Sequence, residues 1–478
     1  MERGTLPAII QGGMGIGVSN WQLARAVSLR GQLGVVSGTA IDSLFIRRLQ
    51  DGDPGGHLRR AMAAFPIPEV AEHALRKFFL PDGRPEGVPY RMLSMYRHGA
   101  TRLREQINIL ASFVEVWLAR EGHAGPVGIN LLTKVQLPNL GALYGAMLAG
   151  VDCVLMGAGI PREVPGVLDR LAGHGRASLK LDVEGLAPGE VVETSLDPGE
   201  HWAGGPPAPV RRPWFLPIIS SESLATMLKR KASGEVNGFV VEGPTAGGHN
   251  APPRGKPQLN ERGEPIYGER DIANLEAMRE LGLPFWLAGG TGSPEALAAA
   301  RSAGAEGIQV GTLFAYADES GLTPEYKRSV LEHAVRGEVD VLTDPRASPT
   351  GYPFKVVRWP EDPSAAEPER ERVCDLGYLR VAYAKPNGKL GYRCAAEPVK
   401  AYVEKGGTEA DTEGRRCLCN ALMANVGHAQ VRDEGRVEPP LLTSGDDLMG
   451  IAGFLRDRTS YTAGDVLDYL EAGLAPAT

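Results

Sequence analysis

The chain has 478 residues, of which 43% are hydrophobic and 23% charged, which is the composition of a globular protein with room for two or three domains. Its formal net charge of -7 argues against general binding to nucleic acid or to an anionic membrane surface. No run approaches the roughly 20 apolar residues of a membrane span, and no signal-like apolar segment precedes the first predicted strand, so we expect a cytoplasmic protein.

Short apolar runs alternate with helical segments up to about residue 345. Eight runs are predicted to be β-strands, because they are apolar almost throughout and are separated by helices, as in a parallel sheet covered on both faces. They are Pro7–Gln11, Leu33–Ser37, Val127–Leu131, Cys153–Met156, Phe215–Ile219, Phe239–Val241, Phe285–Ala288 and Gly307–Val310. Eight such units favour an α/β fold of the (β/α)8 TIM barrel type, with a doubly wound sheet as the alternative.

Three stretches of the chain are additions to a minimal (β/α)8 barrel. Residues 42–124 predict a helical insertion after the second strand, and residues 177–212 predict a β excursion before the fifth. Beyond residue 345 the alternation of strands and helices stops, and a Pro- and charge-rich linker at 360–372 opens a Cys-containing C-terminal subdomain. We therefore expect a barrel over residues 1–345 and a C-terminal subdomain over residues 346–478.

Glycine-containing turns lie directly after several of the predicted strands. The sixth strand leads into Gly247–His249, where small residues let a ligand approach the backbone beside an imidazole. The seventh ends in Gly289–Gly290 and the eighth in Gln309–Thr312. In barrels, the loops after strands seven and eight commonly hold a phosphate through backbone N–H groups. No Rossmann or P-loop motif explains a phosphate here, so these two loops are the predicted phosphate site.

Five motifs in this order and spacing resemble the nitronate monooxygenase family, formerly called 2-nitropropane dioxygenases. Its relatives include the flavin-dependent enoyl-acyl carrier protein reductases. The motifs are QGGMG from Gln11, VGINL from Val127, VEGPTAGGH from Val241, LAGGTGSPEAL from Leu287 and GAEGIQVGTLF from Gly304. The resemblance covers about residues 5–345 apart from the two insertions, and it implies a barrel that binds FMN non-covalently.

The resemblance also implies roles for single residues. Gly13, Met14 and Asn130 would line the flavin ring or its ribityl chain, and His249 would be the catalytic residue. The other cofactor-binding residues are expected around the phosphate or in the turn before the histidine; they are Gly247, Gly248, Gly289, Gly290, Gln309, Gly311 and Thr312. The family motif is usually AGGH-x-G, whereas this chain continues from the histidine with Asn250–Pro253, which puts the choice of substrate in doubt.

Three functions remain open on these residues. The resemblance favours oxidation of nitronates with O2 to a carbonyl compound and nitrite, with His249 binding the anion or acting as a base near its reference pKa of about 6.5. The alternative is an enoyl-acyl thioester reductase that receives electrons from NAD(P)H. The third is a flavin-binding scaffold without turnover, whose tail docks an acyl-carrier domain. Glu242, before the glycine turn, is expected to make structural hydrogen bonds.

The expected partners follow from these functions. An enzyme of either kind would take a small-molecule substrate, a nitronate with O2 or an acyl thioester. Neither nucleic acid nor a membrane is expected to bind, and the sequence leaves a homodimer open.

Four of the five cysteines lie in the C-terminal segment. In a protein of a reducing compartment, such clustering suggests metal ligation more than disulfides. Four thiolates suit tetrahedral zinc or a [4Fe–4S] cluster, although their spacing is not that of a zinc ribbon, and a disulfide or free thiols are the alternatives. The candidate metal ligands are Cys374, Cys394, Cys417 and Cys419. Cys153, within the fourth strand, is expected to be a small core residue.

Overall fold

All eight predicted barrel strands are present in the computed structural model, which describes residues 6–365 and 370–474. In chain order the strands of the chain are β1 (Ile9–Gln11), β2 (Gly34–Ser37), β3 (Val127–Leu132), β4 (Cys153–Gly157), β5 (Ala177–Leu181), β6 (Val183–Glu184), β7 (Val192–Leu196), β8 (Trp214–Ile219), β9 (Phe239–Glu242), β10 (Phe285–Ala288), β11 (Gly307–Val310), β12 (Asp340–Asp344), β13 (Phe354–Arg358), β14 (Val381–Ala384) and β15 (Leu390–Arg393). The observed ends differ from the predicted ones by at most two residues.

Eight of these strands form one parallel sheet in the order β1-β11-β10-β9-β8-β4-β3-β2. The sheet closes on itself beside β2. Leu33 lies just before that strand; its N–H donates to the carbonyl O of Ile9 (3.1 Å), and its carbonyl O accepts from the N–H of Gln11 (3.0 Å). The predicted (β/α)8 TIM barrel is confirmed.

Apolar side chains fill the inside of the barrel. Trp286 is fully buried there, and its indole N–H donates to the carbonyl O of Pro7 (2.8 Å). Cys153 is buried in the same cluster, as expected for a small core residue. The cluster consists of Ile10, Leu33, Val35, Cys153, Leu155, Leu216, Val240, Trp286 and Ala288. Because side chains pack the interior, a ligand has to bind at an end of the barrel rather than within it.

Helices cover the outside of the barrel and continue through the C-terminal segment. They are α1 (Trp21–Leu29), α2 (Ile41–Gln50), α3 (His57–Ala63), α4 (Pro68–Phe78), α5 (Arg102–Arg120), α6 (Asn139–Leu148), α7 (Val164–Ala172), α8 (Glu222–Lys231), α9 (Leu275–Glu280), α10 (Pro294–Ser302), α11 (Thr312–Ala315), α12 (Pro324–Val335), α13 (Val399–Glu404), α14 (Leu418–Ala424), α15 (Ala452–Leu455) and α16 (Ala463–Glu471). Polar caps fix several helix starts; Ser293, for example, accepts from the N–H of Ala296 (3.1 Å). Within the described ranges, no helix is long and apolar enough to cross a membrane.

The two predicted insertions contain the expected kinds of structure. Residues 42–124 hold most of α2 together with α3, α4 and α5. Helix α5 packs against α1 and α6, so it also covers the barrel sheet. Residues 177–212 hold β5 and β7, which pair as antiparallel strands.

The segment after residue 345 packs back against the barrel. The predicted domain boundary lies between β12 and β13, which pair as antiparallel strands of one hairpin. Farther along, β14 pairs with β6, and α16 packs against α1 and α10. Part of the predicted linker, residues 366–369, lies outside the described residues. The division of the chain into two domains stays a prediction, but the C-terminal segment is in place to contribute to a site on the barrel.

Candidate active site

A cavity opens at the carboxyl ends of the barrel strands, and it brings the sequence motifs together. All the cofactor-binding residues predicted from the sequence line it, and so does the predicted catalytic residue. They are Gly13, Met14, Asn130, Gly247, Gly248, His249, Gly289, Gly290, Gln309, Gly311 and Thr312. The carboxyl ends of parallel strands meet at one end of a closed barrel, which is why motifs hundreds of residues apart share one cavity. Their individual roles remain predictions.

Two amide side chains that line this cavity have buried acceptor atoms without a hydrogen-bond partner. Asn130 is held in place by its Nδ2, which donates to the carbonyl O of Gly13 (3.0 Å). Its Oδ1 is buried and has no hydrogen-bond partner among the described residues, and the same is true of Gln309 Oε1. A buried acceptor without a donor costs about 1–3 kcal/mol. A ligand with N–H or O–H donors would remove that cost.

Backbone rather than side chains forms much of the cavity wall. Gly289 has φ +87°, and a Cβ there would lie 2.9 Å from the carbonyl O of Gly243 and 3.0 Å from the N of Ala246. At Gly13, a Cβ would overlap the Cβ of Asn130. The left-handed conformation at Gly289 and the close approach of Asn130 at Gly13 each favour glycine, which has no Cβ. The result is an open surface of main-chain groups suited to a flat or anionic ligand.

His249 is held by residues from beyond the predicted barrel. Its Nε2 lies 2.7 Å from the Oγ of Ser348, and its ring packs edge-on against Phe354 with 4.8 Å between the ring centroids. Burial lowers the pKa of His249 to about 4, so the imidazole is neutral at neutral pH. The sequence allowed both protonation states, and the structure selects the neutral one.

Glu242, at the end of β9, also lines the cavity. Burial raises the pKa of this carboxyl to about 8, so it is protonated at neutral pH. The pKa values of Glu242 and His249 are thus moved in opposite directions, a pattern that marks acid and base groups of active sites. Sequence reasoning left Glu242 out of the site, because the burial that sets its protonation is not visible in the motif.

Residues Thr443–Asp447 close over the glycine loops. The Oγ1 of Thr443 accepts from the N–H of Gly248 (2.9 Å), and the N–H of Gly445 donates to the Oγ1 of Thr312 (3.0 Å). All five residues of this short stretch except Asp446 line the cavity. Sequence reasoning missed it, since the TSGDD run signals a turn but not where the turn docks.

The departure from the family motif after His249 also has a local structural role. Asn250 is buried, and its Nδ2 donates to the carbonyl O of Ala246 (2.9 Å). Its backbone N–H donates to the carbonyl O of Pro353 (2.9 Å), which ties the glycine turn to the strand that carries Phe354. Asn250 therefore stabilises the turn that presents the imidazole.

One acidic group lies at the predicted phosphate end. The carboxyl of Asp447 accepts from the N–H of Gly292 (3.2 Å), and burial raises its pKa. The Oγ1 of Thr312 accepts a hydrogen bond from the N–H of Gly445, so the hydroxyl hydrogen of Thr312 can donate to a ligand.

The predicted metal site at the C-terminal cysteines is not supported. Cys374, Cys394, Cys417 and Cys419 do line one small cavity. Yet in residues 6–365 and 370–474 no group of three or more His, Cys, Asp or Glu side chains is arranged to hold a metal ion. Hydrogen bonding with Cys374, together with burial, raises the pKa of the Cys394 thiol, and burial raises the pKa of Cys417 and Cys419.

Comparison with solved structures finds similar chains at low sequence identity. FabK from Thermotoga maritima is 17% identical, with 98% of this chain and 92% of that chain covered and a TM-score of 0.46. A nitroalkane oxidase from Streptomyces ansochromogenes is 17% identical, with 98% and 95% covered and a TM-score of 0.44. The enoyl reductase domain of MlnA, from the macrolactin biosynthesis cluster of Bacillus amyloliquefaciens, is 12% identical, with 98% and 95% covered and a TM-score of 0.47.

Sequence comparison gives a family match over part of the chain. No curated protein matches this chain. The family model described as nitronate monooxygenase matches residues 214–345. That range contains β8 to β12 and the three motifs that surround Glu242, His249 and the predicted phosphate loops. This match lies over the part of the barrel that holds those motifs, and it agrees with the resemblance to the nitronate monooxygenase family that the motifs predicted.

Proposed function

We propose that this protein is an FMN-dependent oxidoreductase that oxidises nitronates with O2 to a carbonyl compound and nitrite. The observation that carries the proposal is the convergence, in one cavity, of glycine-lined strand ends, two buried amide oxygens without donors and a neutral imidazole. The proposed substrates are a nitronate and O2, and the expected place of action is the cytoplasm. The match to the nitronate monooxygenase family supports this choice of substrate.

The residues of the cavity fit FMN. The ring imide N–H and the ribityl hydroxyls of FMN are donors of the kind that Asn130 Oδ1 and Gln309 Oε1 lack. Backbone N–H groups in the loops after β10 and β11, with the hydroxyl of Thr312, would hold the phosphate. When bound, FMN would supply the redox chemistry between the substrate and O2.

His249 and Glu242 would bind the substrate anion. A nitronate is already deprotonated at carbon, so the site needs a hydrogen-bond donor for the nitronate oxygens rather than a strong base. A neutral imidazole provides a fixed N–H for this purpose, and a protonated Glu242 adds no negative charge that would repel the anion. A hydrogen bond from either group to the negatively charged nitronate is charge-assisted, and it is stronger in a buried cavity than in water.

The apolar part of the cavity wall favours a second candidate, reduction of an enoyl-acyl thioester by NAD(P)H. An acyl chain would pack against the aliphatic side chains that line the cavity. These side chains include Ile16, Leu132, Val135, Leu322, Leu379, Leu418 and Leu422. A small nitronate would leave much of that surface unused.

Absorbance spectra of the anaerobic protein separate these functions. For a nitronate monooxygenase we expect a yellow protein whose flavin absorbance is bleached by a nitronate and not by NADPH, with nitrite released once O2 is admitted. Bleaching by NADPH, followed by reoxidation with an enoyl thioester, would establish the second candidate instead. A colourless protein that cannot be reconstituted with FMN would contradict both.

The protonation of Glu242 predicts how activity depends on pH. Below about pH 8 the carboxyl is neutral, and above it the carboxylate would repel an anionic substrate. We therefore expect kcat/KM of the wild-type protein to fall about tenfold per pH unit above that value. Glu242→Gln, which imitates the neutral acid, should remove this alkaline loss, whereas Glu269→Gln at an exposed position should keep it. An unchanged alkaline limb in Glu242→Gln would show that another group titrates.

A further inference from the structure

Two hydroxyl groups continue the hydrogen bonding of His249 away from the candidate active site. The Oγ of Ser348 lies 2.7 Å from the Nε2 of His249 and 2.8 Å from the Oγ1 of Thr350. Both hydroxyl residues belong to the turn between β12 and β13, outside the glycine motifs. Three polar side chains are thus joined in series by contacts of hydrogen-bond length.

The series leads from the cavity to its outside. His249 lines the active-site cavity, whereas neither Ser348 nor Thr350 does. Ser348 is fully buried, and Thr350 is only half-buried. Solvent therefore reaches the far member of the series from outside the active-site cavity.

The hydrogen bonds of Ser348 leave its hydroxyl free to work in either direction. Its Oγ accepts from the backbone N–H of Thr350 (3.2 Å), and its carbonyl O accepts from the Nη1 of Arg415 (2.7 Å), which holds the turn in place. A serine hydroxyl has one hydrogen and two lone pairs. One lone pair and the hydrogen remain, so Ser348 donates to His249 or to the hydroxyl of Thr350 and accepts from the other.

The imidazole completes the series on the cavity side. The described residues give the Nδ1 of His249 no hydrogen-bond partner, so this nitrogen is left for a ligand. Burial lowers the pKa of His249 and keeps the ring neutral. A ring that takes a proton at Nδ1 and stays neutral has to release one at Nε2, where Ser348 accepts it.

We propose that His249, Ser348 and Thr350 form a proton relay through which the site ionises a neutral nitroalkane; this rests on the proposed function. The C–H bond beside the nitro group breaks, its electron pair stays on the nitronate, and its proton bonds to Nδ1. The Nε2 proton passes to Ser348, the hydroxyl proton of Ser348 passes to Thr350, and that of Thr350 passes to water. One proton leaves the substrate, one reaches solvent, and each hydroxyl keeps one hydrogen.

Such a relay suits a buried imidazole. No imidazolium forms in the cavity, so the final acceptor is solvent rather than a weakly basic ring. The N–H that the transfer leaves on Nδ1 is also the donor that binds the nitronate oxygens. Proton transfer and binding of the anion would therefore use the same ring nitrogen.

Exchange of the α-hydrogens of nitroethane in D2O tests the relay without any redox step. Proton NMR of the anaerobic, FMN-loaded protein follows the loss of their signal. We expect the wild-type protein to accelerate this exchange over buffer alone. Thr350→Val, which keeps the side-chain shape but removes the hydroxyl, should slow it at least about tenfold, and Thr350→Ser should restore it to within about twofold.

Nitrite formation in air separates the relay from a structural role. Ethyl nitronate, the anion of nitroethane, has no proton to lose. Thr350→Val should therefore lower kcat/KM for nitroethane at least about fivefold more than for ethyl nitronate. Equal losses for the two substrates would overturn the relay, because they would show that Thr350 only supports the fold of the turn.

Two other results would also overturn the relay: no exchange by the wild-type protein, or equal exchange by Thr350→Val. If Thr350→Val does not fold, Ser348→Ala breaks the same series and replaces it in both measurements. Thr350-dependent exchange without nitrite from either substrate would support the relay and contradict the proposed oxidation. Failure of the relay and failure of the proposed function are thus distinguished.

Discussion

Replacement of His249 by alanine is expected to lower kcat/KM for a nitronate by about 10²-fold, the usual effect of removing a hydrogen-bond donor to charge in a buried site. The change removes the neutral imidazole from the cavity and leaves the glycine loops in place. FMN content should therefore stay close to that of the wild-type protein. Steady-state nitrite formation at saturating O2, with the flavin spectrum recorded for each preparation, measures both quantities.

Ser348→Ala is the matched control for this prediction. It keeps the imidazole and its contact with Phe354 but removes the hydroxyl 2.7 Å from its Nε2. We expect a smaller loss than in His249→Ala, because the donor remains and only its orientation is weakened. If His249→Ala binds FMN and turns over at the wild-type rate, the protein is a flavin-binding scaffold or uses another residue.

Gly13→Ala is expected to weaken FMN binding by about 10²-fold or more, because the new methyl group overlaps the Cβ of Asn130. Asn130, which lines the cavity, would have to move, and with it the amide whose buried Oδ1 has no donor among the described residues. Overpacking of this kind typically costs about 1–3 kcal/mol, to which the loss of the hydrogen bond to the cofactor is added. Titration of the FMN-free protein, followed by flavin fluorescence, gives the dissociation constant.

Gly12→Ala provides the comparison within the same loop. A Cβ at Gly12 would come no closer than 3.4 Å to its nearest neighbour, the carbonyl O of Val310, so this variant should bind FMN nearly as the wild-type protein does. Circular dichroism melting curves of both variants show whether the barrel remains folded. Equal affinities in the two variants would mean that Gly13 and Asn130 do not contact the cofactor.

Much of the barrel and of its cavity could be predicted from local sequence. The strand runs around Val127, Phe239 and Phe285 are apolar and lie between helices, and burial on both faces of a parallel strand imposes that pattern. The glycine turns after these strands could also be recognised in the sequence, because a left-handed or crowded backbone position favours glycine over other residues. The convergence of these turns then follows from barrel closure, which places all carboxyl strand ends at one end.

Protonation states could not be predicted in the same way. Glu242 and His249 belong to a visible motif, but their shifted pKa values arise from desolvation by residues distant in sequence. The metal site predicted from the cysteines is not supported, for a related reason. Cysteine spacing along the chain does not report the directions of the side chains or their burial, which together decide between ligation and free thiols.

The sequence by itself determined the barrel, the glycine-lined strand ends and the resemblance to a family, since these depend on residue types at short range. Only the tertiary structure decided what surrounds them. It placed Ser348 and Phe354 on His249 and closed Thr443–Asp447 over the glycine loops. Such contacts join residues about 100 to 200 positions apart, and no local pattern encodes them, because they form only when the C-terminal segment packs on the barrel.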